Sequence, residues 1–146
     1  ITHQLLLISL DHVMFKGAIF KRNFAIFTLL FGGVHFIAEI FYTVRYGQTF
    51  LGLFPDLMAD VLLLAGSYFL LKDPRQAGVM CGAWGFMFCL HYRAWAWRAE
   101  GFSTGTLVEG EQMVMVLLAA TMMSSFLCFF ITLVMNVPRN QSGSVT

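Results

Sequence analysis

An all-α integral membrane fold, a bundle of four transmembrane helices, is what the sequence predicts, and three observations predict it. Only 12% of the 146 residues are charged while 58% are hydrophobic, where soluble domains carry about 25% charged residues. Four apolar runs reach the roughly 20 residues that a spanning helix needs. The breaks between those runs are short and rich in Gly, Pro and polar residues. A water-soluble domain of this size buries only about two-thirds of its surface, so lipid is the solvent that accommodates the remaining apolar side chains, the sixteen Phe among them.

The expected spans cover residues 23–44, 51–71, 76–97 and 111–137. Backbone groups in lipid must bond within their own segment, which makes each span helical. The strict alternation of a membrane barrel strand is missing. Tyr46-Gly47-Gln48 ends the first run, and Pro55 fits as an early-turn proline of the second. Lys72-Asp73-Pro74-Arg75 makes a tight connection in which Pro74 stops the helix. Gly101 to Thr106 reads as the longest polar loop, and Pro138 precedes a polar tail. Residues 4–20 mix Leu5, Leu6, Leu7, Ile8 and Leu10 with Asp11, His12 and Lys16, which suggests an N-terminal interfacial helix lying on the membrane. The chain is thus one membrane domain over residues 1–146.

With four spans, Lys16, Lys21, Arg22, Lys72, Arg75 and Arg139 fall on one side and Arg45, Arg93 and Arg98 on the other. This excess places both termini in the cytoplasm. A net charge of +1 gives no electrostatic basis for binding nucleic acid. Cys81, Cys89 and Cys128 are odd in number, lack a CxxC spacing and lie in apolar runs, so they read as free thiols packed as small hydrophobes. Gly78, Gly82 and Gly85, and Ala119, Ala120 and Ser124, offer small faces for close helix packing, as do Gly32, Gly33 and Gly66. Trp95 and Trp97, with Tyr42, Tyr46 and Tyr92, mark an aromatic belt or, in a sharper reading, a stacking site for a ligand.

The candidates for chemistry are the ionisable residues inside the spans. His35 and Glu39 are four apart on the first helix, and Asp56 and Asp60 on the second, so each pair shares a face. His91 and Arg93 come from the third, while Asp56, Glu109 and Glu111 fit wet positions at the boundary. Charged groups near the bilayer centre cost about 2.5–3.5 kcal/mol on insertion scales and turn towards the bundle interior. Glu39 and Asp60 lead the candidates, followed by His35 and His91, and most of the set is expected in the outer half of the bundle. Three roles compete for His35, Glu39, Asp60, His91 and Arg93. They form a hydrogen-bonded network that fixes helix register, a ligand-binding or proton-handling site to which Trp95 contributes, or a metal site of two imidazoles and two carboxylates (His35, Glu39, Asp60, His91). Counting along the helices puts His35 and His91 at heights differing by about 10 Å, so a b-type haem held between them is not expected.

The run His35-Phe36-Ile37-Ala38-Glu39-Ile40-Phe41-Tyr42 resembles the H-x-x-x-E segment in the first helix of the emopamil-binding sterol isomerase family. In that family such acids and histidines line an intramembrane sterol pocket, which is what the resemblance implies for His35 and Glu39. It covers this short stretch alone, and the second and third helices do not follow the family's pattern. Walker, GxGxxG, GxSxG and HExxH motifs are absent from the sequence. Two functions follow as expectations. One is a ligand-binding module or subunit of a larger membrane complex, with lipid, other membrane subunits or copies of itself as partners. The other is a small membrane enzyme, an isomerase or oxidoreductase on a lipophilic substrate, with Glu39 or Asp60 as general acid/base and His35 or His91 assisting.

Overall fold

The computed structural model describes residues 2–108 and 110–137, with side chains from residue 17 onward. It is all-helical: α1 (Thr2–Tyr46), α2 (Phe50–Lys72), α3 (Ala77–Ser103) and α4 (Glu111–Asn136). Gly47, at φ 70°, takes the left-handed turn after α1 that a Cβ would disfavour. Thr49 caps α2 by accepting from the Gly52 amide at 3.4 Å. Asp73 closes the α2–α3 turn by accepting from the Arg75 amide at 2.9 Å, and Lys21 Nζ donates to the Pro74 carbonyl at 2.8 Å. Pro55 lies within α2, deeper than a first-turn position, and its missing N–H leaves the Leu51 carbonyl without its helical donor.

The helices run up and down in chain order, with α1 on α2, α2 on α3 and α3 on α4. Three of them, over Gly17–Tyr46, Phe50–Lys72 and Glu111–Asn136, are long and apolar enough to cross a membrane. The expected third span, residues 76–97, has the length but not the apolarity. α3 carries His91, Arg93, Arg98 and Glu100, and because it packs between α2 and α4 it meets protein on two sides. Ala77, Met80, Ala83, Trp84, Met87 and His91 form its buried face.

Three expectations need correction. Residues 4–20 are not a helix of their own, because α1 is continuous from Thr2 to Tyr46. Gly17 is too weak a breaker among helix-forming neighbours to interrupt it. The amphipathic character expected there concerns side chains that, up to residue 16, lie outside the described residues, as do Glu109, Arg139 and the polar tail. α3 extends to Ser103, so the loop begins at Thr104 rather than Gly101. Of the expected close-packing glycines, Gly66 is the tightest and Gly85 follows, while Gly78 and Gly82 are not closely packed. A Cβ on Gly66 would come within 2.9 Å of the Met80 Cα, whereas Gly82 has open space and Gly85 meets only the Phe129 ring at 3.2 Å. On α4 the inward residues are Ser125, Cys128 and Thr132, while Ala120 is exposed.

Gly66→Ala is therefore expected to push α2 and α3 apart and to destabilise the protein by about 1–3 kcal/mol. Gly33→Ala, where a Cβ meets nothing within 4 Å, serves as the comparison. Unfolding of both variants in mixed detergent micelles checks this.

Candidate functional site: a carboxylate–imidazole chain across four helices

Each helix brings one polar side chain to a common point. On α1 the inward face is Ala25, Thr28, Gly32 and His35, followed by Glu39 one turn later. On α2, Asp60 shares a stripe with Leu63, Ser67 and Leu70. His91 ends the buried face of α3, and Ser125 heads that of α4. The helical spacing that buries the apolar members of these stripes carries the polar ones inward with them.

The contacts form one chain. Asp60 Oδ1 lies 2.9 Å from His35 Nδ1, and His35 Nε2 lies 3.2 Å from His91 Nε2. His91 Nδ1 lies 3.2 Å from Ser125 Oγ, which donates to the Thr121 carbonyl at 2.8 Å. Asp60 and Ser125 are fully buried, and His91 is 4% exposed. Glu39 Oε1 stands 3.8 Å from His35 Nε2. Phe31 stacks on the His35 ring at 6.3 Å, and Trp84 packs on Phe31 at 5.0 Å while donating from Nε1 to Thr28 Oγ1 at 3.2 Å. Two polar atoms in these surroundings are buried without a hydrogen-bond partner, Asp60 Oδ2 and Arg98 Nε.

The structure brings His35, Glu39, Asp60 and His91 together. It leaves out Arg93, which is exposed, and Trp95, which is half-buried away from the chain. The two histidines are level, not about 10 Å apart. His35 is about as far from the end of α1 as His91 is from the end of α3, because α3 continues through Trp97 and Arg98 to Ser103. The chain accordingly crosses the bundle near the middle of α2, α3 and α4 rather than in its outer half. Among the described residues, no three His, Cys, Asp or Glu side chains converge as a metal site requires. Of the thiols only Cys128 is buried, and all three are free.

Towards the end of the bundle formed by Tyr46, Phe50, Ser103 and Glu111, a second polar layer lies above the chain. Arg98 reaches Tyr42 Oη at 3.5 Å and Glu111 Oε1 at 3.9 Å, so Glu111 is paired rather than simply wet. A cleft of about 630 Å³ opens between α2 and α3, lined by Gln48, Gly52, Asp56, Arg93, Trp97 and Glu100. Gly52 and Pro55 give little bulk to that wall, and Asp56 stands one turn above Asp60 on the same helix face. Ser125 and Arg98 were not legible as site residues. A serine that bonds its own i−4 carbonyl leaves no pattern of its own, though Ser125, Cys128 and Thr132 are small or polar at helical spacing in a run of Leu, Met and Phe.

Comparison of the chain with protein-family models, with curated proteins and with solved structures finds no match.

Proposed function

We propose that this is a multi-pass membrane protein, with α3 sheltered between its neighbours as the remaining crossing and both termini cytoplasmic, that acts as a ligand-binding module, working as a subunit of a larger membrane assembly. The cleft at Asp56 is the entrance and the Asp60–His35–His91 chain is the site. Support for membrane embedding comes from three apolar helices and from large side chains such as Val116, Leu117, Leu127 and Val134 facing outward on α4. Support for the orientation is the excess of Lys and Arg on the side of Lys72 and Arg75.

The observation that carries the binding role is Asp60 Oδ2. A buried polar atom without a partner costs about 1–3 kcal/mol, and native interiors pair nearly all such atoms. Asp60 Oδ2 is such an atom at the most buried carboxyl of the network, with no partner among the described side chains. The open valence calls for a donor, and a hydroxyl- or amine-bearing ligand supplies one. An experimental map of the protein in lipid nanodiscs is expected to show a feature larger than a water at hydrogen-bonding distance, about 2.7–3.2 Å, from Asp60 Oδ2. Carbon contacts there, or a single water, would return the network to a purely structural role.

A second reading, an enzyme acting on a lipophilic substrate, is favoured by one contact. The Asp60–His35 pair at 2.9 Å is the arrangement in which a carboxylate orients an imidazole for base chemistry. Against it, His35 Nε2 faces His91 rather than open space. For an enzyme, Asp60→Asn or Glu39→Gln abolishes turnover in a protein that still inserts. For a binding module, the same changes alter affinity or assembly.

A further inference from the structure

With His91 neutral, the contacts at Ser125 fix the direction of every hydrogen bond in the chain. A carbonyl only accepts, so the Ser125 hydroxyl proton points at Thr121 O. A hydroxyl has one proton, so Ser125 Oγ must accept from His91, and His91 carries its proton on Nδ1. A neutral imidazole with Nδ1–H has a bare Nε2, so the bond between the two rings is donated by His35 Nε2–H. What remains is the Asp60–His35 contact. Either His35 is imidazolium beside a carboxylate, or His35 is neutral and Asp60 Oδ1 holds the proton. Both alternatives have the same count: one proton more than a carboxylate and a neutral imidazole, and no net charge on the chain.

We infer that the Asp60–His35–His91–Ser125 chain is a single-proton switch that reverses its donor direction between α2 and α4. Loaded, the bonds run from Asp60 and His35 through His91 to Ser125 and the Thr121 carbonyl. When that proton is lost, His35 keeps only Nδ1–H, directed at the Asp60 carboxylate, and its Nε2 is bare. Two bare nitrogens cannot stay 3.2 Å apart as a hydrogen bond. His91 must then move its proton to Nε2, and the Ser125 hydroxyl must turn from Thr121 to His91 Nδ1. The balance closes: one proton leaves to water, His91 changes tautomer, Ser125 reorients, and no covalent bond between heavy atoms changes. The donor direction reverses across the bundle.

The response reaches α4 as the turn of the Ser125 hydroxyl. The polar ties of α4 to the rest, among the described residues, are Ser125 to His91 and Glu111 to Arg98, and its backbone packs on α3 alone. The groups around the proton are Glu39 on α1, Asp56 one turn from Asp60 on α2, His91 on α3 and Ser125 on α4, with Arg98 and Glu111 in the layer above and Cys128 next along the buried stripe of α4. Proton exchange with water passes through the cleft at Asp56, so the inference rests on the proposed site for its route and on the hydrogen-bond directions for its content.

The test is ¹⁵N NMR of histidine-labelled full-length protein in nanodiscs, with His35→Gln and His91→Gln used to assign the rings. In the wild type, His91 is expected as the Nδ1–H tautomer with His35 Nε2 protonated. Raising the pH should convert His91 to the Nε2–H tautomer in the same step that removes one proton from the Asp60–His35 pair. Asp60→Asn sharpens this, because the amide can donate to His35 Nδ1 without any titrating proton. That variant should hold His91 as Nδ1–H at every pH, with the tautomer change lost. His91 found as Nε2–H at neutral pH, or an unchanged tautomer titration in Asp60→Asn, overturns the switch. The assigned wild-type spectra decide even if Asp60→Asn does not fold. A ligand feature beside Asp60 Oδ2 together with one fixed His91 tautomer also overturns the switch, while leaving the binding module intact.

Discussion

Trp84→Ala is expected to cost about 3–5 kcal/mol in equilibrium unfolding in detergent micelles, more than any other single truncation of an apolar side chain in this protein. The indole is fully buried and occupies the space between α1 and α3, whose backbones do not otherwise approach closely. It packs against Phe24, Phe27 and Phe31 at centroid distances of 6.5, 6.3 and 5.0 Å, and its N–H bonds Thr28. Truncation removes all four contacts and leaves a cavity that helices restrained by short turns cannot close. Trp84→Phe keeps the ring stack and loses only the hydrogen bond. Thr28 can turn its hydroxyl to the carbonyl one turn back, as Ser67, Ser125 and Thr132 do, so that variant should lose no more than about 1 kcal/mol. Phe31 joins Trp84 to the His35 ring, so Trp84→Ala should also broaden the two histidine signals. A cost below that of Gly66→Ala would show that α1 is held by its contact with α2 alone.

The helices were readable from the length of their apolar runs and from the turn residues that end them. The run before Gly47 and the stop at Pro74 match the ends of α1 and α2 within a residue or two. The site was readable for a related reason: an acid such as Asp60 on an apolar helix must find a partner, and the imidazoles were the available ones. The depth of His91 was not readable. Counting from the last strongly apolar residue ended the third helix near Trp97, whereas helix propensity carries α3 on through Arg98 and Glu100. Those extra turns bring His91 level with His35. The pairings of Ser125 with His91 and of Thr28 with Trp84 depend on how the helices are rotated about their axes, and rotation is decided by contacts such as Gly66 against Met80. No single helix's periodicity contains that information.

His35→Leu is expected to destabilise the protein by about 3–5 kcal/mol, the range seen when one partner of a buried pair is removed. The loss leaves Asp60 Oδ1 as well as Oδ2 without a partner, and it strips the donor from His91 Nε2. Adding Asp60→Val should recover most of that loss, because the second change removes the stranded carboxyl itself, and well-packed apolar replacements of buried pairs are often neutral or stabilising. About 1 kcal/mol should remain for the unpaired His91 nitrogen. The prediction is thus a strongly non-additive cycle, measured by unfolding of the wild type, the two single variants and the double variant. The cycle also separates the two reasons a bundle keeps such a network. A double variant that is nearly as stable as the wild type, yet shows no pH-dependent change at His91, means that the acid and the imidazole are retained for what they bind and transmit. A double variant as unstable as His35→Leu means that the chain is the clasp holding four helices in register. In that event the open oxygen of Asp60 is a tolerated defect rather than a site.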